Sequence, residues 1–472
     1  MDLDDLAHWL ARAADWSLGY LKGIRARPVR ARSRPGDIAR QIASAPPESG
    51  EPMERIFADF EEIVPPGLTH WQHPRFFAYF PANASPPSLI AEALTATIAA
   101  QCMLWQTSPA ATEIETVMMD WLRQMIGLPA GFSGVIQDSA SAATLAAILT
   151  GRERALGFAG NRTGLSGGPA IRVYASPEAH SSIEKACWIA GIGADNLVRV
   201  PLAPGSLAID TEALDAAIRA DRAAGHLPAT VVALLGGTAV GACDDIAAVV
   251  KVARAHGLYV HVDAAWAGSA MICPEHRHLM AGSEAADSFV FNPHKWLFTN
   301  FDCSAHFVRD PEALVRTLAI RPSYLATHGR DGIVNYSEWS VPLGRRFRAL
   351  KLWFVIRSYG VAGLRAVIRD HIAWSHELCE RLRAEPDFEI ATEPVLSLFS
   401  FRYVPAGVGD PDALNARLAA AINDDGRIYL TPTEHRGRTV IRVQVGQTMT
   451  TREDVLAVHE VVTAIARSLD AT

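Results

Sequence analysis

The spacing of hydrophobic positions changes twice along the 472-residue chain. Up to residue 84, apolar residues recur at helical intervals and predict short helices over 3–22, 36–44 and 51–63, separated by proline and glycine. Helices joined so loosely offer one another little surface for their apolar faces. We therefore expect the N-terminal segment to pack on a second copy of the chain, with packing on its own chain as the alternative.

Beyond residue 84, short β-branched and aromatic runs alternate with helical segments such as 211–224 and 245–256. The runs lie at 171–176, 196–202, 230–236, 257–265 and 288–292. This alternation is typical of a mostly parallel sheet covered by helices on both faces, an α/β domain.

After residue 355 the pattern is that of a smaller α+β domain. Helices are predicted over 362–384, 410–424 and 451–469, and strands near 395–403 and 438–445. The predicted division of the chain is an N-terminal helical dimerisation segment (1–84), a large α/β domain (85–355) and a small C-terminal domain (356–472).

Composition excludes several classes of protein. Hydrophobic residues make up 49% of the chain, enough for a large core, and a net charge of −7 with well-mixed signs argues against a nucleic-acid partner. The basic run at 25–34 contains proline and reads as a solvated linker rather than a phosphate-binding arm. No run approaches the roughly 18–20 apolar residues of a membrane span.

The cysteines and the N-terminus bear on where the protein works. The six cysteines are scattered without a CxxC pair, so we expect no metal site, no disulfide framework and a reducing, cytoplasmic environment. The acidic, amphipathic N-terminus does not resemble a signal peptide.

Three chemically capable residues follow predicted strands. Lys295 comes after SFVFN, Asp263 ends LYVHVD, and His180 follows IRVYAS. Ligands of open α/β sheets bind beyond the carboxyl ends of the strands. Taken singly, the lysine could extend to solvent along a sheet rim, the aspartate could cap a helix, and the histidine could be a helix cap or a hydrogen-bonded core residue.

A fourth feature is the stretch GVIQDSASAATLAAI at 134–148, where a strand turns into an alanine-rich helix. Free N–H groups at the helix start, with the hydroxyls of Ser139 and Ser141, could bind a phosphate, although an ordinary capped helix is the alternative. A lysine amine, a carboxylate, a flat stacking group and a phosphate cradle together point to pyridoxal 5'-phosphate (PLP) as the cofactor.

The chain resembles the group II PLP-dependent decarboxylases, and among them those that act on aromatic L-amino acids. The resemblance rests on HWQHPRFFAYFP (70–81), SPAATEIETVMMDWL (108–122), AHSSIEKA (179–186), HVDAAWAGSA (261–270), ADSFVFNPHKWL (286–297), NFDCSA (300–305) and PLGRRFRALKLWFVIRSYG (342–360). It implies a fold-type I architecture with a central, mostly parallel seven-stranded sheet. It also implies a homodimer whose subunits share active sites.

The resemblance also assigns roles to individual residues. Lys295 would carry PLP as an internal aldimine, Asp263 would pair with the pyridinium nitrogen, His180 would stack over the ring, and Tyr324 would protonate the substrate Cα. The remaining cofactor contacts would come from Ala140, Ser141, Thr238, Ala265, Ser288, Asn292 and His294. The substrate would meet His180 together with Trp71, Tyr79, Phe80, Ala82 and Met103.

Five positions depart from the family pattern: Ala82 replaces a threonine, Gln101 and Met103 replace an aliphatic and an aromatic residue, Gly237 replaces a threonine beside Thr238, and Asp138 stands where glycine is common. Loss of the hydroxyl at position 82 argues against strict specificity for a catechol. Asp138 is expected to point away from the phosphate or to cap the helix, and Arg345 and Arg346 are expected to form structural ion pairs.

The expected reaction is decarboxylation of phenylalanine, tyrosine, DOPA, tryptophan or 5-hydroxytryptophan to the arylethylamine. One alternative is an aromatic aldehyde synthase, whose members often have phenylalanine in place of Tyr324. A decarboxylase of histidine or of an acidic amino acid and a catalytically silent PLP-binding dimer are further alternatives. A nucleotide-binding dehydrogenase is disfavoured, because no GxGxxG follows a strand.

Overall fold

A computed structural model describes residues 2–320 and 333–470. The chain divides into two compact units. The first unit is built from Met1–Pro81, Trp374–Glu393 and Phe399–Thr472, and the second from Ala82–Ala373 and Pro394–Leu398. This division differs from the predicted one, because the N-terminal helices and the C-terminal domain belong to the same unit.

The α-helices of the described residues are, in chain order, α1 Leu3–Gly23, α2 Met53–Ile63, α3 Pro86–Ile98, α4 Pro109–Ile126, α5 Ala140–Ala155, α6 Gly160–Thr163, α7 Ser181–Ile189, α8 Thr211–Ala223, α9 Ile246–Ala255, α10 Pro293–Trp296, α11 Pro311–Leu318, α12 Arg348–Arg383, α13 Pro411–Asp425 and α14 Arg452–Asp470. The strands are β1 Ser133–Gln137, β2 Ile171–Ala175, β3 Leu197–Arg199, β4 Leu227–Leu234, β5 Tyr259–Asp263, β6 Ser288–Phe291, β7 Ser304–Val308, β8 Phe388–Val395, β9 Leu398–Tyr403, β10 Thr431–His435 and β11 Arg438–Gln444.

The second unit is organised around a seven-stranded sheet with the order β1-β7-β6-β5-β4-β2-β3. β7 runs antiparallel to both of its neighbours, and the other six strands of this sheet all run in one direction. β4, β5 and β6 are almost wholly buried along their length. Continuous apolar strands of this kind occur where helices cover both faces of a sheet. The strand order and directions confirm the predicted seven-stranded, mostly parallel sheet.

In the first unit, α1 packs on α2 through aromatic pairs, Trp9 with Phe57 and Trp16 with Phe60, at ring-centroid distances of 5.6 and 4.8 Å. A four-stranded sheet with the order β10-β11-β9-β8 carries the main core of this unit. Most residues of the basic run at 25–34 are exposed, and Arg25 at its start pairs with Asp454 at 2.6 Å.

Two local predictions differ from the structure. The helix expected over 36–44 is reduced to a 3-10 turn at Ala39–Gln41. The side chain of Gln41 donates at 3.0 Å to the carbonyl of Asp37, the acceptor that an α-helix would pair with the N–H of Gln41. The helix expected over 362–384 is part of α12, which begins earlier and bends at Gly360, where φ is +63°. This long helix crosses the predicted boundary at residue 355.

Candidate active site

Three of the predicted residues lie at one edge of the seven-stranded sheet. His180 follows β2 and forms the N-cap of α7, Asp263 ends β5, and Lys295 lies in α10 just beyond β6. Asp263 stands opposite Val290 in the register between β5 and β6. Parallel strands present their carboxyl ends at the same edge, and so the sheet brings the three side chains to one site.

His180 interacts electrostatically with both of the other groups. Burial lowers the pKa of His180; the carboxylate of Asp263 opposes this effect and the ammonium of Lys295 adds to it. The ring is therefore neutral near pH 7, although part of it is exposed to solvent in the described chain. Its Nδ1 accepts the backbone N–H of Ser182 at 3.1 Å, which places the proton of the neutral ring on Nε2.

The carboxylate of Asp263 is held by the chain that follows it. Asp263 is only 9% exposed, and its Oδ1 accepts the N–H of Ala265 at 3.1 Å. The carbonyl of Ala265 in turn accepts the N–H of Asn292 at 2.9 Å. The methyl group of Ala265 packs against the hydrophobic cluster that contains Ala140. Asp263, Ala265, Asn292 and Ala140 are thus neighbours at this end of the sheet.

The start of α5 has the features of an anion site. Ser139 caps the helix by accepting the N–H of Ala142 at 3.1 Å, and its own hydroxyl donates to Asp138 at 2.8 Å. Asp138 thus orients the capping serine rather than capping the helix itself. The first N–H groups of the helix, those of Ala140 and Ser141, have no intrahelical acceptor, and the helix dipole favours an anion there.

The residues around Lys295 are fixed by buried hydrogen bonds. Asn292 accepts the hydroxyl of Ser304 through Oδ1 at 2.6 Å, and His294 accepts the N–H of Cys303 through Nδ1 at 2.9 Å. Burial lowers the pKa of His294 to about 3, and the charge of Lys295 contributes in the same direction. His294 is therefore a neutral ring that can donate from Nε2.

The structure does not bring Ser288 to this edge. Ser288 is the first residue of β6, and its buried hydroxyl lies 2.7 Å from Nδ1 of His261. Nε2 of His261 lies 3.2 Å from the hydroxyl of Thr144. At about 3.3 Å per residue, Ser288 and Asn292 are about 13 Å apart along the strand. The assignment of Ser288 to cofactor binding is corrected: its hydroxyl partners a buried histidine in the core.

Thr238 lies in the turn after β4, next to the carboxyl end of β5. The turn closes through the N–H of Gly237, which donates to the carbonyl of Ala242 at 2.7 Å. A Cβ added at Gly237 would lie 3.2 Å from the Cβ of Ala242. A side chain at position 237 would therefore crowd the turn, whereas Thr238 follows with its hydroxyl.

The predicted substrate residues are divided between the two units. Trp71, Tyr79 and Phe80 belong to the first unit, where Trp71 stacks on Tyr79 at 5.8 Å and the guanidinium of Arg442 lies 4.9 Å from the centroid of the Phe80 ring. The others, Ala82, Met103 and His180, belong to the second unit. A pocket formed by all of them stays a prediction, and Tyr324 lies outside the described residues.

Sequence reasoning missed some residues that hold the site and anticipated others. It missed Asn83, which contacts the Lys295 turn and is only 1% exposed, and Ser304, which orients Asn292. The polar residue in the otherwise small and apolar stretch FPANA was the available signal for Asn83. The predicted ion pairs are present: Arg345 pairs with Glu115 at 2.5 Å and Arg346 with Glu92 at 2.6 Å.

This donor set fits PLP. It combines an amine, a buried carboxylate for a pyridinium N–H, a neutral imidazole and the open N–H groups of a helix start. Within residues 2–320 and 333–470, no group of three or more histidine, cysteine or acidic side chains is arranged to hold a metal. No helix in that part of the chain has the length and apolar character to cross a bilayer. The mostly parallel seven-stranded sheet and the donor set at the ends of its strands together define a PLP-dependent α/β enzyme.

Comparison with known proteins gives the family. The model described as the pyridoxal-dependent decarboxylase conserved domain matches residues 35–404. The chain is 41% identical to the aromatic-L-amino-acid decarboxylase of Sus scrofa over 94% of this chain and 93% of that protein. It is 37% identical to the phenylacetaldehyde synthase of Arabidopsis thaliana over 96% of this chain and 94% of that protein.

The fold agrees with that of a solved relative. The crystal structure of Oryza sativa TDC with PLP and tryptamine is 34% identical and superimposes with a TM-score of 0.96, covering 99% of both chains. The chain thus belongs to the pyridoxal-dependent decarboxylase family: it is a carboxy-lyase, and its cofactor is PLP.

Proposed function

We propose that this enzyme decarboxylates aromatic L-amino acids to arylethylamines and CO2. The observation that carries the proposal is the convergence of Lys295, Asp263 and His180 on one sheet edge beside the open start of α5. Similarity to decarboxylases named for aromatic amino acids supports the choice of substrate class.

Each residue of the site would have a distinct task. Bound PLP supplies an acceptor for the electrons of the broken Cα–carboxylate bond. Lys295 would hold it covalently, Asp263 would keep its ring nitrogen protonated, and His180 would cover its face. The phosphate would bind the N–H groups of Ala140 and Ser141. Thr238, Ala265, Asn292 and His294 would complete the cofactor site.

Product analysis of the purified enzyme with PLP tests this proposal. The enzyme would be incubated in air with equal amounts of phenylalanine, tyrosine, DOPA, tryptophan, 5-hydroxytryptophan, histidine and glutamate, and amines and aldehydes would be measured by mass spectrometry. Aromatic amines from the wild type and none from Lys295→Ala are expected. Borohydride reduction should fix PLP to Lys295 in the wild type. Amines of histidine or glutamate alone would contradict the substrate class.

Within the aromatic class, we propose a broad preference. Ala82 supplies no hydroxyl for a catechol, and a ring hydroxyl left unpaired in a dry pocket costs about 1–3 kcal/mol. Phenylalanine and tryptophan should therefore compete with tyrosine and DOPA in kcat/KM. A preference for DOPA of about tenfold, equivalent to about 1.4 kcal/mol, would contradict this.

An aromatic aldehyde synthase is the second candidate. It is supported by the similarity to a phenylacetaldehyde synthase, whereas Tyr324 favours simple decarboxylation. In the same product analysis, aromatic aldehyde together with hydrogen peroxide would establish this alternative.

We also propose a cytoplasmic homodimer with shared active sites. Apolar side chains on α3 are solvent-exposed in the single chain, among them Ile90 at 58%, with Leu89, Leu94 and Ile98 beside it. The six cysteines are all unpaired, as in proteins of reducing compartments. Light scattering should show a dimer for the wild type and for Ile189→Arg, which changes an exposed residue of α7 outside the N-terminal segment, and a monomer for the double variant Ile90→Arg/Leu94→Arg. A wild-type monomer would contradict the proposal.

A further inference from the structure

The turn that carries Lys295 is a single helical turn, α10, between β6 and β7. The carbonyl groups in such a short turn have few intrahelical donors, so they depend on donors from elsewhere. Two consecutive carbonyls of this turn, those of His294 and Lys295, accept hydrogen bonds from one residue, Asn83.

Asn83 makes these contacts with both of its donor groups. Its backbone N–H donates to the carbonyl of His294 at 3.1 Å, and its Nδ2 donates to the carbonyl of Lys295. Asn83 is 1% exposed and lies in the second unit together with the turn. The segment that bears it is anchored a second time, where the N–H of Asn300 donates to the hydroxyl of Ser88 at 2.8 Å.

The main chain of Lys295 is thereby held on both sides. Its N–H donates to the carbonyl of Asn292 at 2.9 Å, and its carbonyl is held by Asn83. A lysine side chain is a flexible four-carbon stem, so its amine can be aimed reproducibly only if its Cα is fixed. Misplacing a reacting group by about 1 Å can cost about 10²-fold in rate.

We propose that Asn83 is a positioning residue for Lys295: its side-chain amide sets the place of the lysine that carries PLP. This inference rests on the proposed function, in which Lys295 holds the cofactor. A purely structural role would be to dock the segment before α3, a task that Ser88 performs nearby without touching the carbonyls of His294 or Lys295.

The test compares the PLP-loaded wild type with three variants. Asn83→Asp keeps the side-chain volume but replaces the amide donor, Asn83→Ala removes the side chain, and Ser88→Ala is the matched control. The measurements are the pH midpoint of the visible absorption band of the lysine-bound cofactor, kcat, KM and the thermal midpoint Tm.

Both Asn83 variants should retain PLP that borohydride fixes to Lys295, but with a shifted pH midpoint and a kcat lowered about tenfold or more, within the range expected for a misplaced catalytic group. Their KM should change much less than kcat. Ser88→Ala should keep the wild-type midpoint, whatever its Tm. If Asn83→Ala does not fold, Asn83→Asp decides.

The outcomes separate the two proposals. A wild-type midpoint and kcat in Asn83→Asp overturn the role of Asn83 while leaving the proposed function intact. An equal shift in Ser88→Ala also overturns it, because general loosening of the segment would then suffice. A wild-type protein with no PLP reducible onto Lys295 overturns both.

Discussion

At the scale of single residues, the candidate site depends on the protonation states that its members impose on one another. His180 and His294 are both neutral near pH 7, because burial and the neighbouring charge of Lys295 lower their pKa values. Neutral rings with Nδ1 occupied as an acceptor can only donate from Nε2. Each ring therefore has one defined hydrogen-bonding role towards a ligand.

The first prediction concerns Tyr324, which lies outside the described residues. Tyr324→Phe should retain PLP and substrate binding but lower amine formation about 10²-fold, the scale of a lost general acid. Oxygen would then take the two electrons left at Cα after loss of CO2 and become hydrogen peroxide, and water would hydrolyse the resulting C=N bond to give aldehyde and ammonia. Amine, aldehyde and peroxide should be measured together over time.

Tyr359→Phe is a suitable control, since Tyr359 is a partly exposed tyrosine of α12. It should form amine at the wild-type rate with no aldehyde. Amine production by Tyr324→Phe at the wild-type rate would show that another group protonates Cα.

At the scale of elements, the site depends on how helices begin at strand ends. α5 begins immediately after β1 because Ser139 caps it, and α7 begins after β2 because His180 itself accepts the N–H of Ser182. Capping residues fix the direction of the first N–H groups. In α5 those groups are the ones proposed to hold the cofactor phosphate.

The second prediction separates this role from helix stability. Ser139→Ala and Asp210→Ala each remove an N-cap, the first from α5 and the second from α8. Each should lower the free energy of unfolding by about 1 kcal/mol. Only Ser139→Ala should also weaken PLP binding, by about tenfold, because the first turn of α5 would fray.

Chemical denaturation of the apo forms gives the stabilities, and equilibrium titration with PLP gives the affinities. Equal PLP affinity in the two variants would place the phosphate away from the start of α5.

At the scale of the whole molecule, buried histidines link stability to pH. Burial lowers the pKa of His294 and of His371 to about 3 and that of His306 to about 4. In the unfolded chain these groups titrate near 6.5. The unfolded state therefore binds more protons than the folded state between about pH 6.5 and 4, so stability falls as pH falls through this window.

The third prediction follows from that sign. Tm measured by calorimetry should decrease progressively from pH 7 to pH 4.5. His306→Leu should flatten this dependence, because it removes one of the groups whose pKa is lowered in the folded state. Neither ring nitrogen of His306 has a hydrogen-bond partner among the described residues, so the substitution leaves no donor or acceptor unpaired. His8→Gln, at an exposed position of α1, is the control. An unchanged slope in His306→Leu would contradict the assignment.

Local patterns predicted most of the elements because helix and strand signals are properties of neighbouring residues. The prediction failed where a side chain competed with the helix, as Gln41 does near 36–44, and where strands are short or antiparallel, as with β7 and β10. The domain boundaries were harder to predict, since which segments pack together depends on contacts between residues that are distant in the chain.

By itself, the sequence determined the alternation of strands and helices in the α/β part of the chain, the capped start of α5 and the presence of a lysine, an aspartate and a histidine after apolar strands. Their resemblance to a decarboxylase family is also carried by local motifs. Only the tertiary structure decided that the ends of β2, β5 and β6 share one edge and that Ser288 lies at the other end of β6. It also showed that Asn83 holds a carbonyl 212 residues away. Strand order, register and such long-range hydrogen bonds arise from packing between distant segments, which no local pattern encodes.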